Sequence, residues 1–280
     1  MTTSIFTKAI ENLGPFRDLK NAVNNNELPV SVSGVSGIHK AQFTLGLYSD
    51  APILIIADDE ASAKRICDDI NELSGEICSF LYPAKDFTFS RVETASREYE
   101  HTRLGVLSRL CTNQCKFVCA SAEAVLQLTI PPEILANSSV EIKSGGTLVI
   151  SELAQKLIAA GYSRSDKVEG ESQFSIRGAI IDIFPVGEIN PIRIEMWGDD
   201  VDTISYFDPE SQRRTQNIDT IKISPAMEVL FDTPDTLIEK IEALSQNIRG
   251  KRTSLVRNNF AKDIDTLRNG LNLGNIDKYL

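Results

Sequence analysis

Long apolar runs are missing from this sequence. A stretch such as Pro52-Ile-Leu-Ile-Ile-Ala57 falls far short of the roughly 20 residues that a membrane-spanning helix needs. Met1 to Phe6 has no basic flank followed by an apolar core, so no secretory signal is read and a cytosolic protein is expected. Histidine is scarce: His39 and His101 are the only two, far apart in the chain, and no G-x-S-x-G elbow is present. Nothing therefore supports a serine or cysteine nucleophile with a histidine base. Basic residues are outnumbered, 29 Lys and Arg against 39 Asp and Glu, for a formal net charge of −10. Nucleic-acid affinity comes largely from neutralising phosphates with Lys and Arg, and no Lys/Arg run with interleaved aromatics appears. The composition favours a protein or small-molecule partner over direct nucleic-acid binding.

Cysteine is limited to Cys67, Cys78, Cys111, Cys115 and Cys119. An odd count without a signal peptide points to free thiols in a reducing compartment. Cys111, Cys115 and Cys119 recur every fourth residue, but Lys116-Phe-Val-Cys-Ala120 reads as a strand, so the helical spacing of a metal comb fails. No histidine completes a zinc pattern. Small buried residues are expected there, with no metal and no cofactor.

What is present is enough to build a core: 42% of the 280 residues are hydrophobic and 24% are charged, both ordinary globular values. The first half alternates strand and helix. Strands are expected at Pro29–Ser33, Ile53–Ala57 (buried), Ile77–Leu81 and Phe117–Ala120. Helices are expected at Lys40–Tyr48, at Glu60–Leu73 with Ala63, Ile66, Cys67, Ile70 and Leu73 on one face, and at Thr102–Leu110. Another follows Ser121, with Ala124, Val125 and Leu128 inward. Such alternation predicts a mostly parallel sheet covered by helices. After Pro131-Pro132 the texture changes. A helix over Ser151–Ala160, with Leu153, Leu157 and Ile158 on one face, precedes closely spaced strands at Gln173–Ile176, Ala179–Phe184, Ile192–Trp197 and Thr203–Phe207, an α+β unit with an antiparallel sheet. Beyond Pro225 the chain turns helical and polar, with Thr233 capping a helix to about Ile248 (Leu237, Ile241 and Leu244 inward) and a second helix over Leu255–Leu271. Three parts are expected: residues 1–132, a P-loop-like α/β domain; 133–228, a smaller α+β adaptor; and 229–280, a helical continuation. The absence of a closing element at Lys278-Tyr279-Leu280 suggests a fragment.

Gly34-Val-Ser-Gly-Ile-His-Lys-Ala41 is expected to follow a strand and open a helix, the setting of a phosphate-binding loop. A working loop reads G-x-x-x-x-G-K-[ST]. Here Gly34 and Lys40 fit, and Gly37 falls between them. His39 replaces the second glycine and Ala41 the hydroxyl residue. Glycine lets the backbone close around phosphates, and the hydroxyl ligates Mg²⁺. A degenerate nucleotide site without catalysis is the reading. Leu54-Ile-Ile-Ala-Asp-Asp-Glu60 imitates a Walker-B strand, but its acids lead straight into a helix, where Asp58 or Asp59 serves as a cap.

Together these residues resemble the N-terminal part of the bacterial transcription-repair coupling factors (Mfd), which is itself similar to the damage-recognition protein UvrB. The resemblance runs from about Pro29 to Phe231. It rests on the degenerate loop, on Leu81-Tyr-Pro83, on Gly161-Tyr-Ser-Arg164 and on Phe174-Ser-Ile-Arg-Gly-Ala-Ile-Ile-Asp-Ile-Phe-Pro185. It continues with Arg193-Ile-Glu-Met-Trp-Gly-Asp-Asp200 and Phe207-Asp-Pro-Glu-Ser-Gln-Arg213. UvrB keeps an intact loop and an aromatic-rich DNA-clamping hairpin. Here the loop is broken, and Asp86 to His101 holds only Phe87, Phe89 and Tyr99 as aromatics. The resemblance implies a non-catalytic module that recruits UvrA through the surface UvrB uses. It also implies intramolecular packing against other domains of the full-length protein, whose translocase motors and polymerase-binding domain would lie downstream. It carries the binding surface onto Arg164, Arg177, Arg193 and Glu195, with Phe184 as an apolar member.

The residues themselves agree in part. Arg193 and Glu195 lie two apart on one strand and share a face, leaving Ile192, Ile194 and Met196 for the core. Arg177 sits beside Gly178, a position that allows a bulge. Clustered arginines with a carboxylate suit an interface, but they could equally be solvated charges, or Arg193 and Glu195 could simply pair with neighbours. An active P-loop enzyme of the UvrB or helicase kind and a DNA-binding module are the alternative functions.

Overall fold

The computed structural model describes residues 5–85, 97–231, 233–250, 253–269, 273 and 276–279. Most of the segment 86–101 noted above for its few aromatics lies outside these residues. The chain divides into two compact units, residues 1–85 with 106–127 and residues 86–105 with 128–280. The fold is mixed α/β, with one parallel sheet and two further sheets.

In the first unit α1 (Ile5–Glu11), α2 (Gly14–Asn24) and α3 (Gly37–Leu47) precede β1 (Ile53–Ala57), α4 (Glu60–Ser74) and β2 (Ser79–Tyr82). After α5 (Glu98–Cys111) come β3 (Phe117–Ser121) and α6 (Ala122–Leu126). The three strands form a parallel sheet in the order β1-β3-β2. The amphipathic stripe of α4 buries Ala63, Cys67 and Ile70 with Cys78, Phe117 and Cys119. Asp59 caps α4 by accepting a hydrogen bond from the Ser62 amide at 2.6 Å, and Gly75 ends it in the left-handed region, as a helix C-terminus favours. Ser121 caps α6 in the same manner.

Several expectations change here. Pro29–Ser33 is not a strand: Val30 and Val32 are exposed, and no ladder partner for them appears among the described residues. Pro29 moreover has no amide hydrogen to give a ladder. Within the first unit, β1 is buried on one side only, since Leu54 and Ile56 alternate outward. The helix α6 is too short to turn Val125 or Leu128 inward, and both are exposed. Of the cysteines, Cys111 is exposed and the other four are buried; all five are free thiols. Among the described residues no group of three or more His, Cys, Asp or Glu could hold a metal ion, and no helix is long and apolar enough to cross a membrane.

The second unit contains α7 (Pro132–Asn137), β4 (Val140–Lys143), α8 (Ile150–Ala159), β5 (Ser163–Arg164), β6 (Gln173–Arg177), β7 (Ile180–Ile183), β8 (Ile192–Trp197), β9 (Asp200–Phe207), β10 (Arg214–Ile218) and β11 (Thr220–Ile223). They are followed by α9 (Pro234–Asn247) and α10 (Thr253–Arg268). Strands β6 to β10 are a continuous antiparallel meander, with β5 added in parallel to β6, while β4 and β11 pair separately. One face of the meander is apolar: Phe174, Ile181, Ile183, Ile192, Ile194 and Ile204 are all buried. Tyr162 ties the unit together, its buried hydroxyl donating to the Ser224 carbonyl at 2.8 Å and accepting from the Val186 amide at 3.2 Å. Gly161 just before it has φ +90°. A Cβ there would come within 2.4 Å of the Met227 side chain, so both conformation and space require glycine. Helix α9 begins at a reciprocal Thr233/Thr236 cap. It packs Leu237, Ile238 and Ile241 with Ile264 and Leu267 of α10. Ile158 and Leu244, expected inward, are exposed.

The first turns of α5 count with the second unit and anchor to it through charged groups. Arg103 Nε donates to Glu228 Oε1 at 2.8 Å with both side chains fully buried, His101 Nδ1 lies 3.2 Å from Glu171 Oε2, and Glu100 accepts from the Glu228 amide at 2.8 Å. Burial raises the Glu100 carboxyl above its ordinary value. A raised folded value means that this group's contribution to stability is fully present below about pH 4.5 and is lost as pH rises through the raised value. Glu100→Gln should therefore be at least as stable as the parent at pH 7 and flatten the pH dependence just above 4.5; urea titrations across pH 4–8 measure both.

Candidate protein-binding site

The loop Gly34–Ala41 does not present a nucleotide cradle's side chains. Gly34 takes φ +76° and α3 begins at Gly37, but the hydroxyl of Ser36 is hydrogen-bonded to Nδ1 of His39 at 2.7 Å. Lys40 is exposed. Ala41, in the position of the Mg²⁺-ligating hydroxyl, is completely buried in the apolar cluster with Ala63, Cys67 and Phe117. Ala41→Thr should therefore place a hydroxyl in the core rather than restore a ligand, destabilising by about 1–3 kcal/mol. A lowered melting temperature, with no heat of Mg-ATP binding gained in calorimetry, is the expected outcome.

The polar face of the six-stranded sheet is built differently. Cross-strand register aligns Ser175 of β6, Asp182 of β7, Arg193 of β8 and Ser205 of β9 in one row. Period-2 alternation gives this row to the face opposite Ile181, Ile183, Ile192 and Ile194. Asp182 is 1% exposed, yet ionic partners reach it from both sides. Arg193 donates from Nε to Oδ1 at 2.6 Å and from Nη2 to Oδ2 at 2.8 Å, a two-pronged pair. Arg177 donates from Nη2 to Oδ2 at 2.5 Å. The Arg193 guanidinium also lies 4.6 Å over the Phe207 ring and donates to the Gln212 backbone and side-chain oxygens, each at 3.3 Å. The hydrogen bonds it donates to Asp182 hold the Arg193 group above its ordinary value.

Glu195, one step along this face, forms an ion pair with Arg214 and accepts from Thr203 at 3.3 Å. Arg193 and Glu195 thus do share a face, and both are paired with neighbours. Arg177 ends β6 next to a two-residue hairpin turn, Gly178-Ala179, with Arg177 and Ile180 in register. No bulge forms. Gly178 has φ +63°, and a two-residue hairpin of the primed type II needs glycine at its first central position. Phe184, two residues beyond Asp182, is half-buried. Arg164 is exposed on β5 and in register with Phe174, so alternation puts it on the other side of the sheet from Arg177. Even so, both arginines line one hollow at the β5 edge, together with Ser165, Asp166, Ser175 and Ile176. The structure gathers Arg177, Arg193 and Glu195 on one face and leaves Arg164 at its margin.

Sequence reading missed Asp182, Gln212, Phe207 and Arg214. Only Asp182 carried a signal, an acid inside Ile180-Ile-Asp-Ile183, an otherwise apolar strand.

A carboxylate-braced arginine face on a small antiparallel sheet is the kind of surface a protein partner reads. In comparison with known proteins, residues 140–229 match the family model of the UvrB interaction domain, a range that contains every residue of this face. The chain as a whole is similar to transcription-repair-coupling factors. It is 30% identical over 274 residues to that of Bacillus subtilis (strain 168), covering 95% of this chain and 23% of the relative. It is 26% identical over 270 residues to that of Staphylococcus aureus (strain USA300), with the same coverage. It is 32% identical over 193 residues to that of Haemophilus influenzae, covering 68% of this chain and 16% of the relative. Residues 140–229 thus match the UvrB interaction domain, and the chain is similar to the transcription-repair-coupling factors along nearly its whole length while spanning under a quarter of theirs.

Proposed function

We propose that this chain is a non-catalytic adaptor that recruits UvrA in transcription-coupled nucleotide excision repair. The observation that carries this reading is the match of residues 140–229 to the UvrB interaction domain, together with the exposed Arg177 and the mostly buried Arg193 that share one sheet face. UvrA would meet Arg164, Arg177 and Glu195, with Phe184 as an apolar contact, and Arg193 would complete the set. In a full-length protein the same face would pack against other domains until it is needed. Residues 1–132 would form a P-loop-like domain with a degenerate site at Gly34, Gly37, His39, Lys40 and Ala41, residues 133–228 the adaptor, and residues 229–280 a helical continuation.

The absence of catalysis is supported by the burial of Ala41 and by the Ser36–His39 contact where a working loop has glycine. Calorimetry tests both parts. Purified UvrA should give a saturable isotherm with this chain, and Mg-ATP at millimolar concentration should give none. An ATP isotherm that disappears in Lys40→Ala would overturn the non-catalytic reading, and silence with UvrA would overturn the adaptor reading.

A further inference from the structure

Two guanidiniums converge on one buried carboxylate, and they are used unequally. Arg193 is 14% exposed and directs its Nε, both prongs of Nη2 and one prong of Nη1 to Asp182 and Gln212. Of the five N–H groups a guanidinium owns, one remains. Its flat face covers Phe207. Arg177 is 44% exposed. Its Nη2 reaches Asp182 and its Nη1 reaches the Asp166 carbonyl at 3.1 Å, so these bonds leave Nε–H and one hydrogen on each terminal nitrogen unused on a side chain that is nearly half exposed. Two positive groups sharing one negative group also leave the cluster with one unneutralised positive charge.

We infer that Asp182 is a positioning residue for partner recognition: it fixes the free edge of Arg177 to receive a carboxylate of the partner and holds Arg193 as an internal brace. An arginine on a strand end is rotamer-rich, and ordering such a side chain at the moment of binding weakens association. Asp182, buried in the middle of the sheet, orders it beforehand. The geometry matches a planar carboxylate, which takes paired N–H groups from one edge of a guanidinium. The hollow shared with Arg164 supplies a second positive group for the same acid. The inference rests on the proposed binding of UvrA.

A double-mutant cycle with purified UvrA tests it. Asp182→Asn should weaken binding about tenfold, which is about 1.4 kcal/mol, and Arg177→Ala at least as much. If Asp182 acts through Arg177, the double variant should bind within about threefold of Arg177→Ala alone, because the two losses are not additive for coupled residues. A double variant that loses a further tenfold overturns the inference. Arg177→Lys, at an exposed position where folding is not at stake, should lose nearly as much as Arg177→Ala, since an ammonium cannot brace against Asp182 and present a paired edge; parent-like affinity contradicts this. Arginine side-chain ¹⁵N spectra of the free chain give a readout independent of UvrA. Slow rotation of the Arg177 guanidinium should be visible in the parent and lost in Asp182→Asn. If the spectra do not change, positioning is wrong even though UvrA binds. If the spectra change as expected but the parent chain does not bind UvrA, the adaptor reading fails and the recognition role of Asp182 fails with it.

Discussion

Replacing Arg103 with methionine should lower the unfolding free energy by about 3–5 kcal/mol, because it strips a fully buried carboxylate of its guanidinium. Arg103 and Glu228 are both completely out of water, with Nε and Oε1 2.8 Å apart. Attraction at that distance repays the desolvation of two charges only while both are present. Removing Arg103 takes this ion pair from Glu228 in a low-dielectric interior beside Glu100, itself a carboxyl already raised by burial. The double replacement Arg103→Met with Glu228→Leu should be markedly less damaging than the single one, since it removes both desolvation costs and fills the volume with apolar atoms. Urea denaturation followed by circular dichroism measures both. A single variant that loses under about 1 kcal/mol, or a double variant worse than the single, would show that the pair is not buried as described.

The second large effect separates the two arginines of the sheet face. Arg193→Ala should lose about 2 kcal/mol of stability as well as partner binding. That is less than the full cost of breaking a buried pair, because Arg177 remains on Asp182. Arg177→Ala, on a side chain that is nearly half exposed, should leave folding nearly unchanged and still weaken UvrA at least tenfold. Glu195→Ala releases Arg214, which is exposed enough to solvate itself, so its effect should be on binding and modest in stability. Thermal melts beside calorimetric titrations separate these cases. An Arg193→Ala variant as stable as the parent would mean that Asp182 is adequately served by Arg177 alone.

Much of the fold was legible because its core elements keep strict periods. The stripe of α4 and the alternation of β8 placed Ala63, Cys67, Ile70, Ile192, Ile194 and Met196 inward, where the structure has them. Elements without such a period were not legible. Strand β10, Arg214-Thr-Gln-Asn-Ile218, is almost wholly polar and exposed, and only its pairing with β9 makes it a strand. Strand β5 is two residues long. The stretch Pro29–Ser33 had the opposite fault: its alternating valines suit a strand, but a strand also needs a neighbour. At the site, the shared face of Arg193 and Glu195 followed from spacing. That Arg193 is braced by Asp182 and Gln212 did not, because those partners arrive from β7 and from the turn after β9, far apart in sequence. Likewise the identity of Ala41 suggested a missing ligand, while its burial depended on α4 and β3 packing over it.

Competition with UvrB tests the adaptor reading most directly. A complex of UvrA with fluorescently labelled UvrB is titrated with this chain, and the bound label is followed by anisotropy. If residues 140–229 present the surface that UvrB uses, the chain should displace UvrB completely, and Arg177→Ala should need at least ten times the concentration to do so, whereas Lys64→Ala, in the other unit, should behave like the parent. If the label stays bound at saturating chain, in a complex of all three proteins or with no binding of the chain at all, the shared surface does not exist.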